Sequence, residues 1–194
     1  MHLRALGIID GLLESEPLNV ELRVIAGHEL MSAGEAAART GDSLEGMRLR
    51  QASAERFRSL VTSEPANELL RFDLGWALSD LGESLHERRD LDAAGQSLRE
   101  ARDLLRGLAG FVSPRFNTTQ FLAAMNDVRI ARLKLSQADA SSAAQTERRA
   151  LLAEAKSLMI HADQVIRAAE NDELLGQEAR EYRAMIASAL QTFD

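Results

Sequence analysis

The sequence predicts an all-α chain of about eight helices, stacked as antiparallel pairs into a solenoid. Three observations carry this. The 194 residues are 45% apolar but only 4% aromatic, with 3 Pro and no Cys, and the composition leans to Ala, Leu, Glu and Arg, which are good helix formers. Nothing alternates with period two for long, so no sheet is expected. The chain also writes nearly the same nine residues twice: "SEPLNVELR" at 15–23 and "SEPANELLR" at 63–71.

The repeat runs further than those nine. Aligned on Ser15 and Ser63, the 21 residues 15–35 share 10 identities with 63–83, where chance gives about one or two. Leu22, Arg23, Gly27, Leu30, Gly34 and Glu35 fall on Leu70, Arg71, Gly75, Leu78, Gly82 and Glu83. A fainter third copy sets Phe121 on Phe72, Asp139 on Asp90, Ala143 on Ala94 and Pro114 on Pro65. There Ala131 replaces Gly82, which keeps close packing open. The whole is read as one helical-repeat domain. Its units cover about 18–64, 66–112 and 115–170, with partial units at about 1–16 and 172–194.

Each unit reads as two helices. Pro17, Pro65 and Pro114 are expected in the first turn of the first helix, where a missing N–H costs nothing. The Ser-Glu before Pro17 and Pro65 ends the preceding helix. First helices are expected over roughly 18–40, 66–88 and 116–137. A short turn follows in each, "TGDS", "RRDL" or "QADA", and Asp42, Asp90 or Asp139 caps the next helix. Second helices are expected over roughly 43–62, 91–111 and 141–170, flanked by lone helices at roughly 3–14 and 172–193. In the seventh helix Leu151, Leu152, Ala155, Leu158, Met159, Ala162, Val165, Ile166 and Ala169 form one apolar stripe. In the eighth, Leu175, Ala179, Tyr182, Met185, Ile186, Ala189 and Phe193 do the same. One such pair cannot bury its faces alone, whereas stacked pairs can.

Composition and motifs exclude more than they assign. Without Cys there is no disulfide, thiol nucleophile or thiolate zinc site. A net charge of −7 argues mildly against nucleic acid as partner. No apolar run is long enough for a membrane span, and no signal peptide is recognised at the N-terminus, so a cytoplasmic chain is expected. The "NTT" at Asn117 fits a glycosylation acceptor only by chance in that setting. The pairs His28-Glu29 and His86-Glu87 lack the second His of a zinc-peptidase helix, so no metal is expected. No phosphate loop or nucleophile elbow is present. His161 has no evident nucleophile or carboxylate to work with, and neither catalysis nor a cofactor is expected. Arg48, Arg50, Arg56 and Arg58 could bind a phosphate or acidic partner, yet Glu45 and Glu55 lie among them and favour a mixed-charge face. Trp76, the lone Trp, either anchors a ligand or fills the joint between units, and packing is favoured.

The stretch "ALSDLGESLHERRDLDAAGQSLREARDLL" resembles a tetratricopeptide repeat. The Leu-Gly pair falls on Leu81 and Gly82, the next large apolar residue on Leu85 and the turn acid on Asp90. The second-helix positions fall on Ala94, Leu98 and Ala101. The first unit departs with Ala33 and Gly46 at the places of Leu81 and Ala94. The third departs with Lys134 at that of Leu85 and an insertion near "SSAAQTERR". The unit length resembles the longer repeats of multidomain bacterial proteins, including regions that follow Ser/Thr kinase domains. The resemblance implies a right-handed superhelix whose first helices line a concave groove holding a peptide or partner helix. Carried over from the Leu-Gly anchor, the groove positions are His28, Met31, Glu35 and Arg39 in the first unit. They are Trp76, Ser79, Glu83, His86 and Glu87 in the second, and Met125, Arg129 and Arg132 in the third. Acids then sit in the middle and arginines at one end, which suits a ligand of mixed charge.

The leading expectation is therefore a non-catalytic module that binds a protein or peptide in that groove. The alternatives are a regulatory or sensory segment of a larger signalling enzyme such as a Ser/Thr kinase, and a groove that senses a small molecule. The unpaired terminal helices suggest an array cut from a longer one, and their apolar residues suggest homodimerisation through them.

Overall fold

The computed structural model describes residues 2–108, 119–140, 145–170 and 175–193, except the side chain of Leu3. Among these residues there are eight α-helices, one 3-10 turn and no strand. The helices are α1 (His2–Ser15), α2 (Val20–Arg39), α3 (Ser43–Ser63), α4 (Glu68–Glu87), α5 (Leu91–Arg106), α6 (Thr119–Ala140), α7 (Gln145–Ala168) and α8 (Gly176–Leu190). Each packs on the next, most extensively within the pairs α2/α3, α4/α5 and α6/α7. The result is an all-α, solenoid-like stack, with α4 also touching α6.

The repeated "SEP-x-N" is a complete stop-and-start device, in which Ser, Glu and Asn each make a bond and Pro shapes the turn. Ser15 Oγ donates to Leu12 O at 2.8 Å, and Ser63 Oγ to Leu60 O at 2.8 Å. Each of these carbonyls also accepts the N–H of the glutamate that follows, Glu16 or Glu64, so the serine adds a second donor where the helix ends. The backbone N–H of Asn19 donates to Glu16 O, and that of Asn67 to Glu64 O, each at 3.0 Å. Those bonds close a four-residue turn with Pro at its second position, where its fixed φ fits. The proline expectation is corrected accordingly: Pro17 and Pro65 lie in the connecting turn, ahead of α2 and α4. The true N-caps are Asn19 and Asn67, whose side chains accept from the N–H of Leu22 and Leu70. Glu16 and Glu64 in turn accept from the capping amides.

The second turn of each pair also repeats. Asp42 accepts from the N–H of Glu45, and Asp90 from that of Ala93. Before each aspartate one residue is left-handed: Gly41 at φ 91° and Arg89 at φ 66°. Asp139 breaks this pattern, because α6 continues through it to Ala140, and it lies 3.9 Å from Arg148 instead of capping a helix. Pro114, Asn117 and Ala143 fall outside the described residues. Helix α5 ends at Arg106, short of the expected 111.

Buried side chains form successive clusters along the stack, as a solenoid requires. Leu6, Ile9, Leu30 and Leu49 join α1, α2 and α3. Phe57, Leu60, Leu70, Leu74 and Leu78 join α3 to α4. Phe72 and Leu105 meet Leu122, and the last cluster joins α6, α7 and α8 through Met125, Met159, Ile166 and Ile186. Phe121 takes the place of Phe72, and both are buried. The stripe of α7 faces inward throughout. That of α8 does so except for Met185, which is exposed. Helix α1 keeps Ile8 and Leu12 exposed.

Candidate partner-binding face

Charges from α2, α4, α6 and α8 act on one region, and its centre is Arg129. The guanidinium of Arg129 on α6 donates to Ser79 Oγ at 2.7 Å and pairs with Asp80 and Glu83 on α4, each at 2.8 Å. Arg132, one turn on, reaches the other oxygen of Glu83 at 2.8 Å. Ser79 donates to Asn126 Oδ1, and the amide of Asn126 donates to Leu98 O on α5. From α3, Arg50 donates to Ser84 Oγ. One fork-shaped guanidinium thus satisfies two carboxylates and a hydroxyl with almost no exposure, an arrangement Arg makes and Lys does not.

The titration of these groups records how closely they converge. Burial opposes the charge on Arg129, but Glu83, Tyr182 and Asp80 more than reverse this and hold it firmly protonated. Burial raises the Glu83 carboxyl, and Arg129 and Arg132 outweigh it, leaving it below the usual glutamate range. Asp80 stays above its usual range because burial there exceeds the help from Arg129 and Arg50. On α8, burial pushes up both Glu178 and Tyr182. The further charges acting on Glu178 are Arg129, Asp80, Glu181 and Glu35. So α2, α4, α6 and α8 each place a charge within electrostatic reach of one region.

The twelve groove positions carried over from the resemblance divide by burial. Met31 and Met125 are core residues, 7% and 4% exposed. Ser79 and Arg129 are buried in the network just described. His28 is also buried, with Nε2 3.1 Å from Asp73 Oδ2 and its ring 5.0 Å from that of Phe57 and 6.1 Å from that of Trp76. Trp76 is half-buried and packs against two core clusters, so it fills a joint between pairs. Glu83 and Arg132 are half-buried and bonded to each other. His86 lies 2.8 Å from Ser136 Oγ, and burial, then Arg132 and Arg89, lowers its pKa. Only Glu35, Arg39 and Glu87 are openly exposed; Glu35 and Arg39 lie 3.9 Å apart.

Sequence reasoning alone misses Asp80, Asn126, Glu178 and Tyr182. Asp80 and Asn126 are legible in principle: they flank carried-over positions on α4 and α6 and belong to the polar residues of otherwise apolar helices. Nothing local to α8 announces that Tyr182 and Glu178 come within electrostatic reach of Arg129. The arginine cluster of α3 is spent on other contacts. Arg48 pairs with Glu45, Arg58 with Glu100 across to α5, and Arg56 lies 3.9 Å from Asp10. Among the described residues no group of three or more His, Asp or Glu could hold a metal ion. No helix there is long and apolar enough to cross a membrane.

No family model matches this chain, and no curated protein or solved structure matches it.

Proposed function

We propose that the chain is a non-catalytic interaction module, related in kind to tetratricopeptide repeats. It takes a peptide or partner helix across the face shared by α2, α4, α6 and α8. The observation that carries this is the convergence of Glu35, Asp80, Arg129 and Glu178, one charge from each of those four helices, on a single region. A face built from four successive first helices is continuous and extended, which suits a segment-shaped ligand.

The partner's chemistry follows from which charges are spent. Glu83 is bridged by two arginines, so it presents little net charge outward. Glu87 is exposed, Glu35 is exposed with Arg39 3.9 Å away, and α8 adds the half-buried Glu178 and the exposed Glu181. The unspent balance is acidic, and a basic or mixed-charge segment fits it.

This placement also decides how to test the reading. Reversing Arg129 would strand Asp80 and Glu83 and cost about 3–5 kcal/mol, so any lost binding would report unfolding. A photo-crosslinking residue at position 35 or 87 avoids that. Positions 35 and 87 should capture the same partner, while Gln96, exposed on α5, should not. Capture only from position 96 would remove the shared face as the binding surface.

A further inference from the structure

A second polar region lies between α5, α6 and α7. It is a crevice of ≈ 340 Å³ lined by Arg106, Gln120, Ala123, Ala124, Asp127, His161 and Val165. Its charges are arranged unlike those around Arg129. Asp127 is 6% exposed and sits at the back, with Arg102 Nε 3.0 Å from its Oδ1. That pair neutralises itself. Burial pushes the Asp127 carboxyl up, and Arg102, Arg106 and His161 pull against it, so all three cationic or proton-accepting groups stand within reach of one point.

Arg106, Gln120 and His161 make no side-chain hydrogen bond or ion pair among the described residues. Three exposed side chains that can donate therefore line one crevice, none of them bonded to another described residue, beside the apolar Ala123, Ala124 and Val165. After Arg102 and Asp127 cancel, the remaining charge among the described lining residues is that of Arg106. A pocket with an apolar wall and a few convergent donors of positive sign is suited to a small anion with an apolar part.

We propose that this crevice binds a small organic anion through its carboxylate or phosphate group, held by Arg106, His161 and Gln120. The apolar part lies against Ala123, Ala124 and Val165. Arg102 is the positioning residue: by holding Asp127 it keeps that carboxylate from repelling the ligand. The site is separate from the shared face of α2, α4, α6 and α8, and its success or failure leaves that reading untouched.

The probes are inorganic phosphate and butyrate, titrated into the full chain at constant ionic strength. The histidine ring resonances are followed by NMR, and His161→Gln identifies the signal of His161. The expected result is a saturable shift of the His161 ring with one or both probes. Arg106→Ala should weaken it about tenfold or more, since a charge-assisted hydrogen bond is lost. Response to one probe alone identifies the group recognised. Both side chains are exposed, and an unchanged melting temperature of the free variants checks that each is folded. No saturable shift with either probe, or the same affinity in Arg106→Ala, overturns the proposal.

Discussion

The pairs α2/α3 and α4/α5 solve one packing problem with different residues. In both, a glycine on the first helix lets a large side chain from the second lie against backbone. A Cβ on Gly27 would come within 2.6 Å of the Phe57 ring, and one on Gly75 within 3.0 Å of Leu105. Phe57 and Leu105 occupy the same place in the repeat. Two turns further the pairs diverge. Gly34 meets the backbone of Gly46 itself, each Cβ 2.9 Å from the other's carbonyl oxygen, whereas Gly82 is covered by the side chain of Leu98. Helices α2 and α3 thus touch backbone to backbone, while α4 and α5 are spaced by a leucine. The repeat keeps the place where a helix must yield, not the atom that fills the space.

Substitutions can break or sharpen that comparison. The largest effect is expected at the shared joint. Phe57→Ala should cost about 3–5 kcal/mol in chemical denaturation, and Leu105→Ala about 2–5, because both leave cavities in a fully buried core. Phe57→Leu, which copies the second pair, should cost under about 1.5 kcal/mol. Next comes Gly46→Ala, which copies Ala94. Despite the better helix propensity of alanine, it should destabilise by about 1–3 kcal/mol, since its Cβ meets backbone that cannot swing aside. A neutral result would mean that α2 and α3 do not approach so closely.

Smaller effects belong to the turns. Asn19→Ala and Asn67→Ala should each cost about 1 kcal/mol, and equally, because the two caps make the same bonds. Unequal losses would show that the repeated letters do unequal jobs. The least is expected at the left-handed turn residue. Arg89→Gly should raise stability by about 1 kcal/mol, and Gly41→Ala should lower it by a similar amount.

Much of this architecture is legible in the amino-acid order. The apolar stripe of α7, the caps Asp42 and Asp90, and the starts of α1, α3 and α5 follow from periodicity and turn chemistry. The proline position does not, because Pro suits both a first helical turn and the second place of a β-turn. Only the downstream asparagine, free to cap, distinguishes them. Asp139 is misleading because a repeat alignment transfers a residue type without its backbone. The candidate site is legible as positions but not as bonds. Glu83 and Arg132 sit 49 residues apart in the sequence, and nothing local says that one neutralises the other. Glu178 escapes entirely, and Tyr182 is legible only as part of the apolar stripe of α8, since α8 shares no repeated letters with α2 or α4.

The central claim is that charges on the shared face divide into those that join the pairs and those that meet a partner. The most direct measurement takes the partner captured from position 35 or 87. It titrates that partner against Glu83→Gln and Glu35→Arg/Glu87→Arg in parallel, with unfolding followed for both. The account predicts that Glu83→Gln loses stability yet binds normally while folded. The Glu35→Arg/Glu87→Arg chain should keep its stability and bind at least about tenfold more weakly. Intact binding by the double variant, with binding lost in folded Glu83→Gln, would contradict it.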